Sequence, residues 1–230
     1  MDDYTGFIKE KLLSHGADLV GIGDLRAFPP EQRYNMPYGV AIAVKYPKDV
    51  IRGILDMPTK EYYEHYNALN ERLATLAALA VEALQASGSR ACTRQPTDND
   101  HRESIMPHKT VATRAGLGWI GKCALLVTRE FGSAVRLVPV FTDAELRPDR
   151  PVDESGCGDC LACTNACPGR AVVGRSWSPG IPREEIYDAA KCRAAARARA
   201  WEALRVEDSI CGRCIAICPI TQKYTNTGIG

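Results

Sequence analysis

Eight of the ten cysteines in this 230-residue chain lie between positions 157 and 218. The run Cys157-Gly-Asp-Cys160-Leu-Ala-Cys163-Thr-Asn-Ala-Cys167-Pro168 has the spacing at which thiolates hold [4Fe–4S] clusters. A tight loop lets three thiolates converge on one cubane, while the fourth points away and serves a second cluster. Pro168 stops the short helix and fixes the exit of the chain. A second set, Cys211-Gly-Arg-Cys214-Ile-Ala-Ile-Cys218-Pro219, is one cysteine short of a cluster site, and Cys192 lies upstream to supply it. Cys157, Cys160, Cys163 and Cys218 then form one site, and Cys167, Cys192, Cys211 and Cys214 the other.

Two other uses of cysteine fit this pattern poorly. Zinc is ordinarily held by four ligands in two CxxC knuckles, which leaves the CxxCxxCxxxCP run unexplained. Disulfides need an oxidising compartment, and the acidic start Met-Asp-Asp-Tyr-Thr has neither a signal peptide nor a twin-arginine pair. The sequence therefore predicts a reducing, cytoplasmic setting. Cys92 and Cys123 fall outside the two sets. Cys123 reads either as a metal ligand or as a small buried side chain, the commoner role.

The elements that must position these cysteines follow from composition and pattern. The first 155 residues carry two cysteines and the next 75 carry eight, so the chain divides into a larger domain and a small appendage. A net charge of +1 gives no electrostatic case for nucleic acid or an anionic membrane. No apolar run approaches a membrane span. Apolar periodicity predicts a helix over 4–15 stopped by Gly16, a short strand from Leu19 to Ile22, and a strand from Gly39 to Val44 covered on both faces. A long helix follows from a Thr59 cap to about Ala86. Residues 95–108 read as an exposed loop, 110–115 as helix, Cys123–Thr128 and Ala134–Thr142 as strands, and 143–156 as a linker. Asp188 is placed to cap a helix that carries Cys192. Strands alternating with helices over the first 145 residues argue for α/β.

Three further features bear on chemistry. Tyr62, Tyr63, His65 and Tyr66 open the long helix, either packing its end or lining a ligand pocket. Gly116-Leu-Gly118-Trp119-Ile-Gly121 matches GxGxxG literally, but it follows a helical segment and precedes a strand, the reverse of a dinucleotide fingerprint. Its glycines instead allow close approach of a flat or bulky partner. Arg193, Arg197 and Arg199 read as a solvated helix face, with a docking patch for an acidic electron donor as the sharper alternative.

The Lys60-Glu-Tyr-Tyr-Glu-His-Tyr66 helix start, the Arg114-Ala-Gly-Leu-Gly-Trp-Ile-Gly-Lys122 segment, and the paired cysteine motifs with Cys192 between them resemble the epoxyqueuosine reductase family, relatives of the reductive dehalogenases. The resemblance covers nearly the whole chain. It implies a nitroreductase-like α/β (α+β) core over 1–145 that holds cobalamin, and a bacterial ferredoxin-like module over 146–230 with two [4Fe–4S] clusters. It further implies that an external low-potential donor such as ferredoxin or flavodoxin feeds electrons through the clusters to cobalt, which reduces the substrate. Gly116, Gly118, Trp119 and Gly121 are the expected corrinoid contacts, with Tyr63 and Tyr66 beside them. His108 stands where the family has a carboxylate as candidate proton donor; it either donates the proton or caps and packs. The family's C-terminal helical repeats, through which longer members engage tRNA, have no counterpart here. With the near-zero charge, this makes a small molecule rather than tRNA the expected substrate. The leading expectation is thus a cytoplasmic iron–sulfur reductase using cobalamin. An electron-transfer protein or activator of a partner, and a flavin-dependent reductase, are the alternatives.

Overall fold

The computed structural model describes residues 4–93 and 106–227. In chain order, helix α1 (Tyr4–Ser14), strands β1 (Leu19–Asp24) and β2 (Tyr38–Lys45), helices α2 (Lys48–Gly53) and α3 (Lys60–Ala86), and strand β3 (Ala91–Thr93) come first. Helix α4 (His108–Arg114), the short strands β4 (Trp119–Ile120) and β5 (Leu126–Val127), and strand β6 (Val135–Thr142) follow. The cysteine-rich part is helical, with α5 (Ala162–Ala166), α6 (Ala189–Leu204), α7 (Arg213–Ala216) and α8 (Pro219–Asn226). Contacts divide the chain into two compact units that interleave along the sequence. The first comprises Met1–Lys45, Ala68–Gly118 and Arg136–Val152, the second Tyr46–Asn67, Trp119–Val135 and Asp153–Gly230. The expected break at 145/146 falls within the last stretch of the first unit, and two earlier stretches belong with the cysteines.

The first unit is built on a sheet of order β1-β2-β6-β3. β1 runs antiparallel to β2, pairing Leu19 with Ala43 and Asp24 with Tyr38, and β3 runs antiparallel to β6. These antiparallel pairs make the unit α+β rather than α/β in the strict sense. Val40 to Val44 are all buried, which is why β2 reads as an unbroken apolar run instead of an alternating one. Helix α4 lies on β1 and β2. The seat is cut by glycine: a Cβ on Gly21 would stand 2.1 Å from the Ala115 carbonyl oxygen. The backbone at Ala115 cannot retreat as a flexible side chain would, so Gly21→Ala is expected to cost ~1–3 kcal/mol by overpacking. A urea titration checks this. A lower midpoint at unchanged slope is the expected result, and an unchanged midpoint would mean that α4 moves off its seat freely.

Along β1, Asp149 acts as a clamp. Its carboxylate accepts from Ile22 N at 2.7 Å and from Lys9 Nζ at 2.6 and 2.7 Å, while its own amide donates to Ile22 O at 2.8 Å. The edge of β1 is thereby closed. Most of the loop expected over 95–108 lies outside the described residues. Its end departs from expectation: Met106 is buried, and its amide donates to Gln32 O. His108 already begins α4.

In the second unit the Thr59 hydroxyl accepts from Tyr62 N at 3.2 Å, the cap expected for α3. Tyr62 packs its ring on Tyr46 at 5.2 Å, and Tyr224 on α8 donates to Tyr46 O at 2.7 Å. Phe131 meets Tyr224 edge-on, and Ser133 N donates to Thr221 Oγ1 at 3.0 Å. The strand expected from Cys123 to Thr128 is a turn over 123–125 and extended only from Leu126. Gly121 N bonds Leu125 O and Ala124 N bonds Gly121 O, both at 2.8 Å, so Lys122, Cys123 and Ala124 form the tip of the β4–β5 hairpin. The tip is buried rather than exposed, and an apolar run of that kind is not separable from a strand by periodicity. Among the described residues no helix is long and apolar enough to cross a membrane.

Candidate metal centres

All ten cysteines are free thiols. Nine of them line two cavities in the second unit. Cys157, Cys160, Cys163 and Cys218 line the first, Cys167, Cys192, Cys211 and Cys214 the second, and Cys123 lines both. Each cysteine is placed by a recognisable local device. Cys157 and Cys160 flank a turn in which Cys160 N bonds Cys157 O at 3.1 Å and Gly158 takes φ +49°. Cys163 rides on α5 and Cys167 ends it, its sulfur accepting from Ala171 N at 3.3 Å. Cys192 sits on α6, whose first turn is capped by Asp188 Oδ1 accepting from Lys191 N at 2.9 Å. Gly212, in the left-handed conformation, turns the chain between Cys211 and Cys214, and a Cβ there would strike Ile54. Cys218 is the N-cap of α8, and Pro219 opens that helix.

The thiols are held in a mixed environment. Burial pushes the Cys192 and Cys218 thiols above the ordinary value, while Tyr187 hydrogen-bonds Cys192, and the Ile220 and Thr221 groups hydrogen-bond Cys218, in the opposite sense. Bound iron would take these groups as thiolates. Among the described residues no three His, Cys, Asp or Glu side chains converge tightly enough to hold a single ion. Around one zinc, with bonds of about 2.3 Å, four sulfurs would crowd together; here they ring a cavity instead.

The surroundings of the first cavity carry unused donors. Trp119 is 7% exposed and lines it, and its indole Nε1 is buried with no acceptor among the described residues. A buried donor without a partner is uncommon and calls for an explanation. Gly156 lies flat on that ring, its Cβ position 2.8 Å from Trp119 Cζ2. Lys122, 5% exposed, lines the same cavity and donates from Nζ to Gly158 O at 2.8 Å. A lysine and a tryptophan lining the same cavity as the cysteines suit an anionic, sulfur-rich body, so the residues present fit [4Fe–4S] clusters. Lys122 and Tyr187 were not singled out as site residues from sequence; only the fold brings them to the cysteines. Cys123 lines both cavities.

The other expected site residues are distributed as follows. Trp119 and Gly121 stand at the first cavity, where a Cβ on Gly121 would lie 2.8 Å from Val127 Cγ2 and 3.6 Å from Cys157 Sγ. Gly116 and Gly118 belong to the first unit, and a Cβ on Gly116 would lie 2.8 Å from Arg150 O. The room that Gly116 and Gly121 leave is thus taken by protein atoms. Tyr63 donates its hydroxyl to Asp208, and Tyr66 is half-buried on the same turn of α3. His108 places Nδ1 3.3 Å from Leu137 O, in the first unit. With Nδ1 donating to that carbonyl, Nε2 is a donor only when the ring is protonated.

No family model matches the chain. An epoxyqueuosine reductase of Listeria monocytogenes is 31% identical over 185 residues, which cover 73% of this chain and 46% of the relative. The chain thus spans less than half the length of that protein. Among solved structures, an epoxyqueuosine reductase with an epoxyqueuosine-modified tRNA-Tyr stem loop is similar at a TM-score of 0.63 and 21% identity, covering 95% of this chain and 65% of that one. A reductive dehalogenase of B12-dependent dehalogenation is similar at a TM-score of 0.69 and 22% identity, covering 92% of this chain and 31% of that one. The likenesses to solved structures give the fold, and the sequence match makes the chain similar, over 185 residues, to an epoxyqueuosine reductase of which it spans less than half.

Proposed function

We propose that this chain is the redox part of an iron–sulfur, cobalamin-type reductase, in which eight cysteines hold two [4Fe–4S] clusters that relay single electrons. The observation that carries this reading is the sorting of eight cysteines around two cavities, four to each, with Cys123 shared between them. The external donor is a low-potential carrier such as ferredoxin or flavodoxin, in a reducing cytoplasm. When bound, the clusters supply one-electron capacity. The protein's own part is to hold the sulfurs, to exclude water at the first cavity with Trp119 and Val127, and to balance charge with Lys122.

Cobalamin enters through the relatives, the B12-dependent dehalogenase above all. The glycines put forward for corrinoid contact give no separate argument, because Gly116 and Gly121 make room for protein. That observation favours, as the second reading, an electron-transfer protein without substrate chemistry of its own. The expectation against tRNA is withdrawn. One structural neighbour carries a tRNA stem loop, and a net charge near zero does not exclude a local basic surface. Substrate on this reading is a reducible small molecule or a modified nucleoside in tRNA.

An anaerobic cobalamin titration of cluster-loaded protein, followed by absorbance and by the cob(II)alamin paramagnetic signal, separates the readings. Stoichiometric binding with an altered cobalt signal is expected; no binding would leave the electron-transfer reading. If His108 supplies the proton, His108→Ala lowers turnover with iron content unchanged. Turnover equal to the parent's would return His108 to a packing role.

A further inference from the structure

Cys123 belongs to neither set of four, and it is the residue that meets both. It lines the cavity of Cys157, Cys160, Cys163 and Cys218 and also that of Cys167, Cys192, Cys211 and Cys214. It is the one cysteine that the two cavities share among the described residues. It is 7% exposed. The backbone is bent to put it there. Ala124, the residue after it, holds φ +58°, a left-handed conformation that side chains with a Cβ avoid and glycine takes freely. Such strain persists where the surroundings over-determine it. Here it sits at a hairpin tip that is buried, although connecting turns ordinarily face water. On the near side, the Cβ position of Gly121 lies 3.5 Å from Cys123 Sγ and 3.6 Å from Cys157 Sγ, so a side chain at 121 would wedge the tip away from the first set.

We propose that Cys123 is a hydrogen-bonding bridge between the two cluster sites, a neutral thiol that donates its S–H to a ligand sulfur of one of the two sets and so raises the reduction potential of the cluster that accepts it. The proposal rests on the two-cluster reading above. In the step concerned, one electron leaves the reduced cluster and one enters the oxidised cluster. The electron originates in the external one-electron donor. No bond forms or breaks at Cys123, which keeps its proton and is neither oxidised nor reduced. A donor hydrogen aimed at a ligand sulfur favours the more negative, reduced cluster, which is how surrounding hydrogen bonds set cluster potentials. Serine at 123 keeps a donor of similar size, whereas alanine removes it.

The test is a potentiometric titration of the full chain, loaded with clusters under anaerobic conditions and read by low-temperature paramagnetic resonance. Parent, Cys123→Ser and Cys123→Ala are compared, with iron and sulfide counted in each. The expected result is equal iron in all three, with one cluster of the alanine variant harder to reduce by about tenfold or more in its equilibrium, which is ~59 mV for a one-electron couple. Serine is expected to recover most of that shift. Two results overturn the proposal: midpoints unchanged in the alanine variant at full iron content, or loss of iron from it, which would make Cys123 a ligand instead. A parent protein that takes up no pair of clusters fails the two-cluster reading itself, and it does so before any variant is made.

Discussion

Replacing Cys192 by alanine is expected, on the proposed two-cluster reading, to take the protein from two clusters to one. Loaded parent should hold roughly eight irons, four to each cluster. The variant should hold between about four and about seven, according to whether three remaining thiolates keep a partial cluster. Cys192 is the one sulfur that α6 contributes to the second cavity, and no cysteine of the first cavity lies on that helix. The effect should therefore be confined to the second site. Cys218→Ala gives the complementary case, because Cys218 caps α8 and lines only the first cavity. Iron and sulfide analysis with paramagnetic resonance of the reduced protein distinguishes the outcomes. Each variant should lose a different signal and retain the other. Retention of about eight irons by Cys192→Ala, or loss of the same signal in both variants, would break the proposed pairing of cysteines.

The proposed grouping of the eight cysteines comes from spacing, and the linings of the two cavities agree with it. A CxxCxxCxxxCP run admits few geometries, and the second Cys-Pro leaves one cysteine to be found. Main elements were legible for similar reasons: the apolar run of β2 and the Thr59 cap of α3 are local patterns with local causes. What could not be read depends on packing between distant stretches. Tyr46–Asn67 and Trp119–Val135 join the cysteine-rich segment through contacts such as Tyr224 to Tyr46 and Thr221 to Ser133, separated by 178 and 88 positions. No periodicity signals pairings of that kind. The same cause hid the role of the β4–β5 hairpin. Its glycines pointed correctly to close approach, but at Gly121 the thing approached is Val127 and the sulfur of Cys157. Cys123 was misread as part of a strand because a buried turn and a buried strand present the same apolar letters.

Lys122 carries the second large expected effect. A lysine that is 5% exposed is rare unless its charge is matched. Among the described residues its one hydrogen-bond acceptor is Gly158 O, a neutral carbonyl, and the cavity it lines is rich in sulfur. On the two-cluster reading, the ammonium offsets the negative charge of that cluster and favours its reduced, more negative state. A unit charge several ångströms away is worth ~2–3 kcal/mol at an effective dielectric constant of about 20, on the order of 100 mV for one electron. Lys122→Met keeps the stem and removes the charge. Its first-site cluster should be harder to reduce by about that amount, with the second less affected. Lys122→Arg should restore much of the potential, since the charge returns even though the guanidinium fits differently. Trp119→Phe, which removes the indole N–H together with part of the ring, should move the same midpoint in the same direction by less. A methionine variant with full iron and an unmoved midpoint would show that Lys122 serves the Gly158 loop alone. In that event the arginine variant, too bulky for the loop carbonyl, would lower thermal stability and leave the cluster potential where it was.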